Sequence, residues 1–321
     1  MVIAMDLPPA WYDAIAMRSS VRRYLPMPVP GETVERLRVV SDDLRRAVGA
    51  GLQEAPRKGV QPAAGEGSQP AEVEGSQPAE SEGVQPSPAA RIVLIEHDAG
   101  SLFTGVLGKF LGSYGRVEGA TLAAAFIGRA GHEGEVGYVG EAFILEATSL
   151  GLSTCWIAGT FDKERAAGVA ELAEGERVVA LTPLGFAGER PRGERFLRRA
   201  LKAWDRLPIE KIAPGIDGGA AGGDDPTARE AAGAEPWPAW ARSAVEAARR
   251  APSGANRQPC RFRLDGDGLV LSRASKIYWT APIDFGIARL HVELGAAHEG
   301  VRGTWETLAD PDVARFVPED G

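Results

Sequence analysis

Two short segments hold the side chains best suited to chemistry. Arg18-Ser19-Ser20-Val21-Arg22-Arg23-Tyr24 gathers guanidinium and hydroxyl donors within one run of chain. Charged donors of fixed geometry are what a phosphate dianion requires. A basic helix end that satisfies its own carbonyls has the same composition. The second segment, Pro252-Ser253-Gly254-Ala255-Asn256-Arg257-Gln258-Pro259, carries Asn256 and Gln258, each with a donor and an acceptor. It also reads as a polar turn between a helix and a strand. A third run, Gly151-Leu152-Ser153-Thr154-Cys155-Trp156-Ile157-Ala158-Gly159, contains Cys155, one of two cysteines. With no His nearby, Cys155 is poorly placed to act as a nucleophile. His291 and His298 lie seven apart on one predicted helix, but no Cys or carboxylate completes a metal set around them.

The elements that must position these residues follow from periodicity. Pro8 and Pro9 open a short helix with Trp11 and Ile15 four apart, which ends near Arg18 and delivers the Arg/Ser cluster at its exit. A second helix after Pro30 presents Val34, Leu37, Leu44 and Val48 on one face. Ile92 to Ile95 and Val178 to Leu181 read as buried strands, with a helix ending at Gly151 between them. Later, a helix from Trp237 to about Arg250 is stopped by Pro252. Arg261 to Leu264 and Leu269 to Leu271 then form a hairpin around Asp265-Gly266-Asp267-Gly268. Gly137, Gly151 and Trp156 recur as Gly286, Gly300 and Trp305 at a constant displacement of 149 positions, the mark of a diverged duplication.

Composition bounds the function. The 321 residues are 44% hydrophobic, enough for two modest cores or a fused double domain. A net charge of −8 speaks against nucleic acid as a partner. Two cysteines make neither a disulfide framework nor a zinc site, and no segment has signal or membrane-spanning length. A cytoplasmic protein without membrane partners is expected. Residues 59 to 88 repeat Gly-(Val/Ser)-Gln-Pro every eight positions from Gly59, Gly67, Gly75 and Gly83. They lack the apolar surface to order themselves. A Gly- and Ala-rich linker runs from about Gly215 to Glu235.

These motifs resemble those of the nitroreductase (FMN-dependent oxidoreductase) family. The first segment is similar to that family's Arg-Arg-Ser-x-Arg element, with Ser19 in place of an Arg. The second is similar to its Pro-Ser-x-x-Asn-x-Gln-Pro element, with Cys260 where Trp is common. The third is similar to Gly-Leu-Gly-Thr-Cys-Trp-Ile-Gly-Gly. Leu184-Gly185-Phe186 resembles Leu-Gly-Tyr-Pro, with Ala187 at the proline and Arg192, Arg195, Arg198 and Arg199 trailing. The resemblance implies FMN with its phosphate and ribityl end on Arg18, Ser19, Ser20 and Arg22, and a further phosphate contact at Arg198. It places Pro252, Ser253, Asn256 and Gln258 beside the flavin ring. A backbone N–H at Ala158 or Gly159 would meet flavin N5, the catalytic contact.

The family takes its two elements from different subunits of a homodimer, whereas here one chain supplies both. The expected fold is therefore α+β and nitroreductase-like. Two related halves are fused as an intramolecular pseudo-dimer, each a sheet flanked by helices. The expected boundaries are 1–213 (insert about 53–89), a linker 214–235, and 236–321. The implied activity is hydride transfer from NADH or NADPH through FMN to a small acceptor such as a nitroaromatic or quinone. A monomer with one flavin site per chain is expected. The alternative is a non-catalytic scaffold, flavin-bound or flavin-free, that keeps the fold.

Overall fold

The computed structural model describes residues 7–54, 89–97, 99–103, 117–189, 205–218 and 236–319. The eight-residue repeat and the arginines 192 to 199 lie outside the described residues.

Helix α1 (Pro9–Met17) begins at proline and buries Trp11, Ala14 and Ile15. Helix α2 (Gly31–Glu54) buries Val34, Leu37, Val40, Leu44 and Val48. Each of these side chains contributes on the order of 1.5–3 kcal/mol by leaving water. The first sheet follows: β1 (Ala90–Ile95), β2 (Leu122–Arg129), β3 (Ser153–Thr154) and β4 (Glu176–Gly185), joined antiparallel in the order β1-β2-β4-β3. Helix α3 (Glu133–Ser149) connects β2 to β3, and α4 (Lys163–Ala170) precedes β4.

After the short α5 (Ile209–Ile212) and α6 (Ala239–Arg250), the pattern repeats. Strands β5 (Cys260–Asp265) and β6 (Gly268–Arg273) lead into α7 (Ala281–His298). Strands β7 (Gly303–Thr307) and β8 (Asp312–Pro318) then complete an antiparallel sheet ordered β5-β6-β8-β7. Gly266 supplies the positive φ that the hairpin between β5 and β6 requires. Each sheet carries one irregularity in the pairing of its second strand with its fourth, between Phe126 and Ile127 and between Leu271 and Ser272.

The duplication is thus visible in topology as well as in the 149-residue displacement. Gly151 and Gly300 close α3 and α7 at φ +81° and +77°. The next residue in each case, Leu152 or Val301, donates its N–H back to Ala147 O or Ala296 O at 2.9 and 3.0 Å. This is a left-handed helix stop used twice.

Helices α3 and α7 cross at the centre, backbone against backbone. A Cβ on Gly137 would stand 2.1 Å from Ile283 O, and one on Gly286 would stand 1.8 Å from Gly134 O. Every residue from Val136 to Thr148 is buried, so α3 is enclosed on all sides by sheet one, α1 and α7. One core runs across this crossing, from Trp11, Phe126 and Phe143 to Ile283, Ile287 and Leu290. A second lies on the far face of sheet one around Ile127 and Leu181. A third fills the second sheet around Phe262, Leu271 and Phe316 and takes in Ile212, Ala213 and Ile216.

Strand β2 is absent from the sequence reading. Its Leu-Ala-Ala-Ala-Phe-Ile run is fully buried, but alanine carries little strand preference. Strand β1, expected to be buried, has Ile92, Val93 and Leu94 only half-buried because it forms the edge of its sheet.

Gly286→Ala is expected to cost more than the roughly 1–3 kcal/mol usual for overpacking, because the obstacle is backbone. Gly168→Ala on α4, with open space around it, should be neutral or gain up to about 1 kcal/mol. Thermal unfolding of the two variants side by side checks the crossing.

Candidate functional site

A cavity of about 410 Å³ opens where the two halves meet, within the range of small-molecule sites. One wall starts at Arg18, the residue that caps α1 and donates its N–H to Ala14 O at 2.8 Å. The chain then leaves the helix in extended form and lies along β3. Ser20 bridges Thr154, and Val21 N donates to Thr154 O at 2.9 Å. Extended chain alternates its side chains. Arg18, Ser20 and Arg22 therefore line the cavity, while Val21 enters the core and Arg23 pairs with Glu118 at 2.9 Å. Ser19, expected among the cofactor contacts, lies on the other side of that alternation and does not line the cavity.

Behind Arg18 lies a buried polar network. Glu141 on α3 is 0% exposed and accepts from Trp156 Nε1 at 2.7 Å. Its other oxygen stands 3.1 Å from His291 Nε2 on α7 and 3.7 Å from Arg18 Nε. The second imidazole nitrogen, Nδ1, is 2.9 Å from Ala247 O. A carbonyl can only accept, so Nδ1 carries hydrogen. One proton is then shared between Nε2 and the carboxylate. Whichever atom holds it, Arg18, Glu141 and His291 together carry one net positive charge. Nε and Nη1 of Arg18 are buried without a hydrogen-bond partner, so the guanidinium retains donor capacity at the cavity.

The opposite wall is the turn after α6, where Pro252, Ser253, Gly254, Ala255 and Asn256 line the cavity. Ala255, Asn256 and Gln258 all hold positive φ, at 50°, 55° and 49°, an unusual cluster for non-glycine residues. Side chains hold it there. Gln258 N donates to Ser253 Oγ at 2.9 Å, and Gly254 N donates to Asp284 Oδ1 at 3.0 Å. Arg206 donates to Asn256 Oδ1, while Asn256 Nδ2 donates to Asp205 O at 2.9 Å. Gln258, expected beside the cofactor, is not a lining residue. Its amide accepts from Leu207 N at 2.8 Å and donates to Asp205 O at 3.1 Å, so it braces the turn from behind. Arg198 lies outside the described residues.

The floor is the 155–160 segment. Ile157 exchanges backbone hydrogen bonds with Leu181 at 2.9 and 2.8 Å, after which the chain leaves the sheet. Ala158 and Gly159 line the cavity, and their N–H groups donate to no acceptor among the described residues. Unpaired backbone donors at a cavity wall are uncommon and suit an acceptor on a ligand. The positions displaced by 149 are Thr307 and Leu308. Thr307 sits in the β7–β8 ladder opposite Ala314, and Leu308 N donates to Val313 O at 3.1 Å. The second half has closed this donor site with a strand pair.

Two charged cavity residues carry no motif and escaped the sequence reading. Arg206 is brought in by the stretch leading to α5. Burial, then the charges of Arg18 and Arg249, push its pKa down to about 10. Asp284, in the first turn of α7, is the sole carboxylate lining the cavity among the described residues, and burial pushes it up to about 7 against the pull of the Gly254 N–H. Away from the cavity, burial likewise pushes Glu293 up to about 7, although Tyr138 and Trp305 both donate to it. Cys155 is buried, and burial together with Asp284 pushes the Cys260 thiol well up. His298 stacks on Tyr12 with ring centres 4.0 Å apart.

Comparison with known proteins places this geometry. A family model described as "Putative TM nitroreductase" matches residues 116–217 and 228–296, more than half of the chain. The chain belongs to this family, and its general kind is that of an oxidoreductase. Among solved structures it is similar to one titled a putative nitroreductase from Thermotoga maritima, at 18% identity over 96% of this chain and 93% of that one, with a TM-score of 0.49. It is also similar to a putative NADH oxidase from Clostridium acetobutylicum, at 16% identity over 56% of this chain and 89% of that one, with a TM-score of 0.35. A structure titled FMN-dependent nitroreductase from Clostridium difficile matches at 14% identity over 56% and 88%, with a TM-score of 0.33. No curated protein matches the chain. Among the described residues, no helix is long and apolar enough to cross a membrane.

Glu141→Ala leaves His291 and the Trp156 indole buried without their acceptor and Arg18 without its counter-charge, and should cost about 3–5 kcal/mol in chemical denaturation. Glu141→Gln, which keeps an acceptor, should cost less. For Asp284, a folded-state pKa raised from 3.8 to about 7 means stability is complete in acid and is lost as pH rises between those values. The advantage of Asp284→Asn over the parent should therefore grow from pH 4 to pH 7 by on the order of 2–4 kcal/mol and stay flat above. Unfolding measured across that range reads the difference directly.

Proposed function

We propose that this chain is an FMN-dependent oxidoreductase of nitroreductase type, taking electrons from NADH or NADPH and passing them to a small acceptor such as a nitroaromatic or quinone. The observation that carries this reading is the buried Arg18 guanidinium, which has free donor capacity on the same cavity as the unpaired N–H groups of Ala158 and Gly159. An anionic, planar group with acceptor atoms fits such a cavity, and FMN is that kind of molecule. When bound, the flavin supplies hydride chemistry that no side chain has. Arg18, Ser20, Arg22 and Arg206 would hold the phosphate and ribityl end. The turn from Pro252 to Asn256 would hold the ring from the opposite side.

The chain's own residues would do the rest. The proton shared by Glu141 and His291 leaves that pair without net charge, so the positive charge of Arg18 is not cancelled and an anion at Arg18 meets a field formed before it arrives. The N–H groups at 158 and 159 donate to an acceptor atom without reorganising the backbone. Because Thr307 and Leu308 are spent on a strand pair, each chain would bind one flavin, and the fused halves would work as a monomer.

The purified protein should be yellow, hold one FMN per chain by mass spectrometry, and bleach anaerobically with NADH or NADPH. Arg18→Ala should lose at least about tenfold in FMN affinity by fluorescence titration. A colourless protein that ignores added FMN would instead make it a scaffold that keeps the fold.

A further inference from the structure

The segment between β6 and α7 places three large apolar residues side by side at the cavity rim. Ile277, Tyr278 and Trp279 are 48%, 40% and 67% exposed. Exposed apolar residues are ordinary when scattered, but a contiguous group at the mouth of a cavity marks a binding surface. Trp279 stands against the floor: a Cβ on Gly159 would lie 3.3 Å from its ring, so the missing side chain leaves the ring room above the free N–H groups. Arg257 packs over Tyr278, its guanidinium carbon 3.2 Å from the ring centre. Arg257 lines the cavity and is exposed, and no ion pair joins it to a carboxylate among the described residues, so its N–H donors are held by an aromatic contact and open to a ligand.

We propose that this rim is the acceptor subsite and takes a planar aromatic acid, with the ring on Trp279 and the carboxylate on Arg257. The inference rests on the flavin reading, which gives the other cavity arginines to the cofactor. Arg18, Arg22 and Arg206 are more buried than Arg257 and would face the cofactor phosphate, and the only carboxylate on the wall among the described residues, Asp284, is held by Gly254 N. Arg257 therefore remains for a second anion at the mouth. A fixed guanidinium matches a carboxylate through two parallel hydrogen bonds, and an indole beside it adds affinity for a flat ring without selecting charge.

The test is calorimetric titration of the protein, with and without added FMN, by 4-nitrobenzoate, by nitrobenzene and by NADPH. The parent should prefer nitrobenzoate over nitrobenzene by about tenfold at low salt. Arg257→Gln should erase that preference, leaving nitrobenzene and FMN binding unchanged, and Arg257→Lys should restore it only in part. Trp279→Leu should weaken both aromatic ligands alike. Equal affinity for the two aromatics in the parent overturns the subsite, and so does an Arg257→Gln variant that loses NADPH affinity but not nitrobenzoate. A colourless protein that still binds nitrobenzoate through Arg257 leaves the subsite standing while the flavin reading falls. A yellow protein that does not discriminate overturns the subsite alone.

Discussion

Everything in this molecule depends on two helices meeting without side chains between them. At the α3–α7 crossing, Gly137 and Gly286 let backbone touch backbone. That close approach brings Glu141 on one helix within hydrogen-bonding distance of His291 on the other. It also sets the first turn of α7, with Asp284, against the turn that follows α6. A wider crossing would separate the Arg18 wall from the Pro252 wall, and the cavity would become an open groove. Neither half contains the site. The geometry of their contact creates it.

Burying so many ionisable groups at one interface is costly, and the network meets that cost by pairing. Glu141 accepts from Trp156, shares a proton with His291 and stands 3.7 Å from Arg18 Nε as its counter-charge, and Glu146 accepts from Trp11 at 2.6 Å and Arg36 at 2.7 Å. The Trp11 and Arg18 contacts tie the nine-residue α1 to the enclosed α3. Several incompletely satisfied groups line the cavity: the Arg18 nitrogens, the N–H groups at 158 and 159, and an Asp284 lifted towards neutrality. Unmet polar capacity gathered around one cavity suits a binding surface more than a packing surface.

Much of the fold was legible because duplication leaves its own marks. The 149-residue displacement pointed to paired helix stops, and both carry the left-handed glycine. The faces of α1 and α2 followed from spacing, since Trp11, Leu37 and Leu44 bury as their period demands. Strand β2 did not, because Ala123 to Ala125 hold their place through burial between layers and not through any preference of their own. At the site, Arg18, Ser20 and Arg22 line the cavity because the extended chain turns alternate side chains the same way. Ser19 faces away by that alternation, and Gln258 is held behind the turn by tertiary partners at Leu207 and Asp205. Arg206, Asp284 and the pairing of Glu141 with His291 belong to contacts between distant segments, and no local pattern encodes them.

The strand pair that covers Thr307 and Leu308 has a consequence for how such a molecule changes over time. In a symmetric dimer every substitution appears twice, so a change that helps one copy of a site can damage the other. Here the two halves carry separate residues, and the edge at Thr307 and Leu308 is paired in a ladder where the matching N–H groups of Ala158 and Gly159 are open. Each half is free to drift towards a different task, one holding and the other covering. Because they are covalently joined, dilution does not part them.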